Sequence, residues 1–400
     1  MTIDIWNDYE SMPLPDVLSF IVDNRGKTVP TDENGTHILI ATNCIRNENL
    51  YPSYDKVRLL NDDIYENWFR AHPLPGDIIF VNKGTPGRVC MVPDPVDFCI
   101  AQDMMAFRVN EDIIYNKYLL AVLRNPRIQA QIAATTVGDV IPHFKKQQLG
   151  EIRIPIPPMK IQKRIGDLYF MFCAKEECNK KINNNLEQQA QAVYYKMFSE
   201  VNGEPVELSS IIDVRDGTHD SPKAQATGYY LITSKHLLPF GVDKASANRI
   251  SKADFDKINE RSLVETQDIL MSMIGTIGLI SYIPYEAVDF AIKNMALFKT
   301  SHTPELTYYF LCYLKSEKTL QHIEKCLAGS TQKYISLGEL RKMPIYSPTT
   351  DEIREFNYLV KPMFEEIVSR TYENALLAEM RDTLLPKLMS GELDVSDIDL

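Results

Sequence analysis

Seven histidines, seven cysteines and 54 acidic residues give this 400-residue chain the raw material for catalysis, but their spacing does not assemble it. No two glycines stand two residues apart, so no Gly-x-Gly turn opens a dinucleotide or adenosylmethionine loop. No Gly-Lys pair lies in a phosphate-loop context, and both His-Glu-x-x-His and Gly-x-Ser-x-Gly are missing. Pro157-Pro158 runs into Met159, so the Pro-Pro-Tyr core of amino-methyltransferases is not there. No lysine has an acidic residue two positions before it, which removes the Asp/Glu-x-Lys half of a common metal-dependent nuclease site. The histidines are scattered, and no cysteine pair has Cys-x-x-Cys spacing. An odd number of cysteines fits reduced thiols in a cytoplasmic protein. The expectation is a chain with no catalytic site, no metal site and no cofactor of its own.

What does recur is a set of glycines. Gly26, Gly84, Gly87 and Gly138 reappear as Gly217, Gly275, Gly278 and Gly329, each 191 residues later, and Leu149 and Leu340 keep the same offset. Gly76-Asp-Ile-Ile-Phe-Val-Asn-Lys-Gly-Thr-Pro-Gly87 aligns without a gap on Gln267-Asp-Ile-Leu-Met-Ser-Met-Ile-Gly-Thr-Ile-Gly278. Such register over more than a hundred residues is the mark of a tandem duplication. The apolar framework is kept, while residues at matched loop positions differ: Lys83 against Ile274, Arg88 against Leu279, Asn43 against Lys235, His143 against Tyr334.

The elements that must position these loops follow from the pattern. Each copy opens with short apolar strands broken by Gly, Pro, Asn and Asp. A proline-rich elbow follows, Ile154-Pro-Ile-Pro-Pro158 and Met343-Pro-Ile-Tyr-Ser-Pro348. Spacings of three and four then predict long helices over 161–198 and 353–389, with the seam of a coiled coil; a surface helix packed on its own domain is the alternative. Both seams turn polar midway, at Lys175/Asn179 and Arg370/Asn374. Those residues either fix the register of an antiparallel pair or face solvent. Pro362 is expected to kink or break the second helix near its start. The fold class is thus mixed α/β: two tandem, pseudo-symmetric domains, 1–150 and 201–346, separated by an antiparallel coiled coil from 151–200 and 347–400.

The net charge of −11 argues, by itself, against nucleic acid. It is unevenly spread: −5 over 1–150, +2 over 151–200, −1 over 201–346 and −7 over 347–400. No apolar run approaches the ~20 residues needed to span a bilayer, and the acidic start MTIDIWNDYE is not a signal peptide.

The doubled order of motifs resembles the target-recognition domains of type I restriction–modification specificity subunits over nearly the whole chain. It is carried by Asp23-Asn-Arg-Gly-Lys-Thr-Val-Pro30 and Arg215-Asp-Gly-Thr-His-Asp-Ser-Pro222, by the two Asp-Ile-(Ile/Leu) strands leading into Gly-Thr-x-Gly, and by Gly138-Asp-Val-Ile-Pro-His143 and Gly329-Ser-Thr-Gln-Lys-Tyr334. Ile182-Asn-Asn-Asn-Leu-Glu-Gln188 and the ending Leu385-Pro-Lys-Leu-Met-Ser-Gly-Glu-Leu393 complete it. The resemblance implies a non-catalytic subunit that reads a bipartite, asymmetric site in double-stranded DNA and docks two methyltransferase subunits and the restriction motor-nuclease subunits. Adenosylmethionine, ATP and magnesium would belong to those partners.

Differing polar groups at matched loop positions are what base readout requires. Candidate DNA contacts in the first copy are Arg25, Lys27, Thr42, Asn43, Lys83, Thr85, Arg88, His143, Lys145 and Lys146. In the second they are Thr218, His219, Ser221, Lys223, Ser234, Lys235, Ser272, Thr276, Thr331, Gln332, Lys333 and Tyr334. Lys145 and Lys146 are assigned to backbone phosphate. Two other readings stay open: a coiled-coil scaffold without a DNA role, and the specificity subunit of a related non-type-I methylating system.

Overall fold

The computed structural model describes residues 4–24, 26–138, 142–198, 204–329 and 333–393. The chain divides into two compact units, one comprising 1–179 with 373–400, the other 180–372.

In the first unit the run Ile78–Val81 is buried on both faces and forms the centre of a four-stranded antiparallel sheet. Its neighbours are Met104–Val109 and Val89–Met91, and Leu18–Val22 lies outside Met104–Val109. Alternation along the strand decides its packing. Ile78 and Phe80 enter a core with the helices Asn116–Arg124 and Pro126–Thr135, while Ile79 and Val81 enter a second core on the other face. A three-stranded sheet shares that second core; His37–Ile40 pairs parallel with Phe98–Ile100 and antiparallel with Arg58–Leu60.

The second unit repeats this arrangement. Its four strands are Val214–Asp216, Met295–Phe298, Ile269–Ser272 and Ile280–Tyr282, in the same order. Its three-stranded sheet joins Tyr229–Ile232 to Asn248–Ile250 and, in parallel, to Phe290–Ile292. A short hairpin, Leu237–Leu238 with Gly241–Val242, is an addition of this copy. Each unit pairs its first strand with the strand before its long helix: Ser11–Pro13 with Arg153–Pro155, and Val206–Glu207 with Pro344–Ile345.

The long helices run Met159–Phe198 and Thr350–Met389. Buried Gln162 anchors the start of the first: its amide donates to the carbonyls of Ile113 and Pro157 and accepts from Tyr115 N–H. Gly166 lets this helix approach the backbone of Lys117 and Tyr118 so closely that a Cβ would stand 2.6 Å from Tyr118 N. Within each unit the two long helices pack antiparallel. In the first, Glu176 meets Arg381 at 2.8 Å and Asn179 donates to Asn374 Oδ1 at 2.8 Å. In the second, Tyr194 and Phe198 pack on Phe356, and Asn183 reaches Ile367 and Thr371.

Two expectations are corrected here. The polar part of the seam is Glu176 and Asn179 against Arg381 and Asn374; Lys175 lies at its edge, pairing with Glu373 at 3.4 Å, and Arg370 pairs with Glu366 along its own helix. Pro362 does not break the second helix, which runs through it unbroken. The proline is exposed, so the carbonyl of exposed Tyr358 that loses its partner faces water, while Val360, Phe364 and Ile367 hold the inner face.

Among the described residues no helix is long and apolar enough to cross a membrane, and no grouping of His, Cys, Asp and Glu could hold a metal ion. None of the seven cysteines forms a disulfide.

Candidate nucleic-acid interface

The strand Ile78–Val81 continues into a tight hairpin, 82–88, whose Gly84 and Gly87 take φ of +84° and +93°. Gly275 and Gly278 of the second unit take +79° and +82°. Residues with a Cβ rarely adopt these angles, so both copies need glycine there. The closing bonds match: Gly87 N donates to Val81 O at 3.0 Å, Gly278 N to Ser272 O at 3.1 Å.

Each hairpin is stitched to the segment that follows a short helix, Pro126–Thr135 in the first unit and Glu317–Lys325 in the second. In the first unit Lys83 forms an antiparallel bridge with His143, which also bridges Val137. Gly84 N donates to Pro142 O at 2.9 Å, and Phe144 N to Asn82 O at 2.7 Å. In the second unit Ile274 bridges Tyr334, which bridges Ala328, and Ile335 N donates to Met273 O at 3.1 Å. The structure therefore brings Lys83, Thr85, Arg88, His143, Lys145 and Lys146 to one surface. Thr276, Lys333 and Tyr334 share the equivalent surface of the second unit.

Two basic side chains at the first surface are held by acids that the sequence does not point to. Lys83 Nζ is 3.8 Å from Asp103, and Lys146 Nζ is 3.1 Å from Asp23, which links the N-terminal loop carrying exposed Lys27 to the same cluster. Lys145 and Thr85 are exposed, and Arg88 is half-buried. Thr42 and Asn43 sit in the turn Thr42–Cys44, where Asn43 donates to Asp55 O at 2.6 Å. That turn approaches the base of the hairpin through Asn47, which accepts from Val89 N at 2.9 Å.

In the second unit Thr218 bridges Lys293, and Lys293 Nζ donates to Ser221 at 2.5 Å. Exposed His219 is braced by Asn294 at 2.8 Å and Asp216 at 3.1 Å, and Asp216 also binds Arg261 at 2.8 Å. Thr218, His219, Ser221 and Arg261, with Lys257 and Asp254, line a cleft of about 400 Å³. Lys223 and Lys235 are exposed, and Ser234 is half-buried in the turn Ser234–His236. Buried His236 accepts Thr233 N–H on Nδ1; burial, then neighbouring Lys235, lowers its pKa.

Ser272 is corrected as a DNA contact. Its side chain is fully buried, donates to Thr276 O at 2.5 Å and accepts from Leu279 N at 2.8 Å. It shapes the hairpin from inside. Gln129 does this in the first unit, donating to Gly87 O at 2.9 Å. Arg25, Thr331 and Gln332 lie outside the described residues, as do residues 139–141 of the Gly138 motif.

One hairpin is thus built twice, in one register, on two copies of one fold. Residues 7–188 and 200–356 match the model of the type I restriction modification DNA specificity domain. The chain belongs to this family. The specificity subunit of the type I restriction enzyme MjaIX from Methanocaldococcus jannaschii is 23% identical over 385 residues, covering 88% of this chain and 85% of the relative. That of the HindI enzyme from Haemophilus influenzae is 21% identical over 401 residues, covering 80% and 86%. The crystal structure of the type I system S subunit from M. genitalium shares the fold, with a TM-score of 0.55 at 15% identity over 96% of either chain. The protein is a DNA-specificity subunit of a type I restriction–modification system: it recognises DNA, acts with partner subunits, and is the recognition component of the enzyme complex, not its catalyst. A scaffold without a DNA role is thereby set aside.

Proposed function

We propose that the two hairpin surfaces are the DNA readers, each taking one half of a bipartite, asymmetric target. The observation that supports this is the equivalence of the Lys83–His143 and Ile274–Tyr334 bridges: one backbone, different side chains. An asymmetric target needs two different reading surfaces, and side chains at fixed backbone positions supply them. Lys27, Lys145 and Lys146 in the first unit, with Lys223, Lys235 and Lys333 in the second, are suited to backbone phosphate because they are exposed cations, Lys146 while also paired with Asp23.

In this reading the recognition domains are 1–150 and 201–346, and the segments 151–200 and 347–400 carry the helices. Those helices dock two methyltransferase subunits, and the restriction subunits join that assembly in the cytoplasm. Adenosylmethionine, ATP and magnesium are held by the partners. The net charge of −11 gives the chain little general attraction for phosphate, so the isolated subunit binds DNA weakly and the partners supply the rest. Methylome sequencing of cells with and without this chain tests the function: a bipartite methylated motif vanishes when the chain is removed. An unchanged methylome would overturn it.

A further inference from the structure

The two hairpins are built alike but differ in chemistry: Gln129 braces the first from inside through Gly87 O, while Lys83, Arg88 and His143 flank it. Around the first stand Lys83, Arg88, Gln129 and His143; 191 positions later, around the second, stand Ile274, Leu279, Leu320 and Tyr334. All four polar positions have become apolar or aromatic. Leu279 is 39% exposed, Leu320 43% and Tyr334 44%, while Ile274 rests partly on the core. Leu320 lies beside Gly278, where a Cβ would be 3.6 Å from its Cδ2. Buried Ser272 fixes the backbone that presents Leu279. Exposed apolar side chains brought together by the hairpin, the helix Glu317–Lys325 and the strand segment bridged at Tyr334 call for an apolar partner.

We propose that this group reads thymine C5-methyl groups in the major groove, so that the half-site taken by the second unit is defined by A·T pairs through their methyls. The first unit, by contrast, presents donors suited to guanine O6 and N7 at Lys83 and Arg88. The inference rests on the hairpins being the DNA readers. Among base edges in the major groove the thymine methyl is the one apolar feature, so an apolar reader at a base-reading position selects it. Exposed Lys333, next to Tyr334, gives the patch a flanking cation suited to phosphate, which an interface for an apolar protein surface has no need of.

The test uses the chain assembled with its methyltransferase subunits, and duplexes bearing the methylated motif in which each thymine in turn is replaced by deoxyuridine. Loss of one contacted methyl weakens binding about fourfold, the transfer free energy of one buried carbon group. The sensitive positions are expected in one half-site only, and Leu279→Ser with Leu320→Ser is expected to make thymine and deoxyuridine equivalent there. Both residues are exposed, so the pair is expected to fold, and the deoxyuridine series needs no variant. Equal binding of thymine and deoxyuridine duplexes throughout, or sensitivity that the double variant leaves intact, overturns the inference while the DNA-reading role stands. So does loss of assembly with the methyltransferase subunits, which would make the patch a protein interface. Failure of the complex to distinguish its motif from a scrambled duplex is instead the failure of the underlying reading.

Discussion

The ammonium of Lys299, 1% exposed, lies 2.6 Å from the carboxylate of fully buried Asp268. The same ammonium reaches Glu265 at 2.7 Å and Leu263 O at 3.1 Å. Arg108 and Asp77 stand 191 positions earlier and pair at 2.9 Å, so both domains carry the ion pair at the base of the strand that feeds the hairpin. Burying two charges costs several kcal/mol, which the pair recovers only while both partners are present. Lys299→Met is expected to destabilise the second unit by about 3–5 kcal/mol by leaving Asp268 uncompensated, and Asp268→Leu added to it should restore part of that loss. Urea denaturation of the single and double variants measures both.

His236 makes stability depend on pH. Its pKa is lowered from the usual 6.5, by burial first and by Lys235 second, with Asp243 opposing. The unfolded chain therefore takes up a proton at higher pH than the folded chain does. The contribution is complete above about pH 6.5 and is lost as pH falls through the folded value. Glu265, lowered chiefly by its hydrogen bond from Lys299, acts in the same direction below its usual 4.5. Urea midpoints measured from pH 8 to pH 5 should fall, and His236→Gln should flatten the upper part of that slope.

Gly166→Ala exchanges the poorer helix former for the better one, a gain of about 1 kcal/mol in an open helix. Here the added Cβ meets the backbone of Lys117 and Tyr118, which cannot swing aside as a side chain can. Overpacking of this kind costs about 1–3 kcal/mol, so net destabilisation is expected. A lower melting temperature for the variant, read by circular dichroism, checks the sign.

Lys145→Ala with Lys146→Ala should weaken binding of the assembled complex alike on all sequences. Each phosphate contact removed lowers the slope of log K against log salt by about 0.9. Because Lys146 is already engaged by Asp23, the expected change is nearer one contact than two. A changed target motif with an unchanged salt slope would place these lysines at base edges.

Much of this architecture was legible because glycine is irreplaceable at positive φ. Gly84, Gly87, Gly275 and Gly278 preserved the register of the duplication through every change around them. The helices are legible from their period, but the period puts Lys175 in the seam where the structure puts Glu176. The buried acid Glu176 reads as a surface residue until Arg381 is known to face it. The Asp77–Arg108 and Asp268–Lys299 pairs are not legible in the sequence although they keep the 191-residue offset. Their partners stand 31 residues apart and the cation changes type, so spacing alone gave no signal. In one dimension a serine beside a glycine turn, such as Ser272, looks exposed. Burial is a property of the sheet, and it turned that hydroxyl inward.

The strand pairs Ser11–Pro13 with Arg153–Pro155, and Val206–Glu207 with Pro344–Ile345, give each recognition domain an entrance and an exit that lie side by side. A domain whose ends meet is a cassette. Everything between two such ends is replaceable by any sequence that folds back to the same doorway, and the backbone bonds that close it, such as Met12 opposite Ile154, make few demands on side-chain identity. Recombination with breakpoints at these seams would exchange one domain while leaving the remaining fold in place. Genes of this kind are expected to vary most between the seams and least at them.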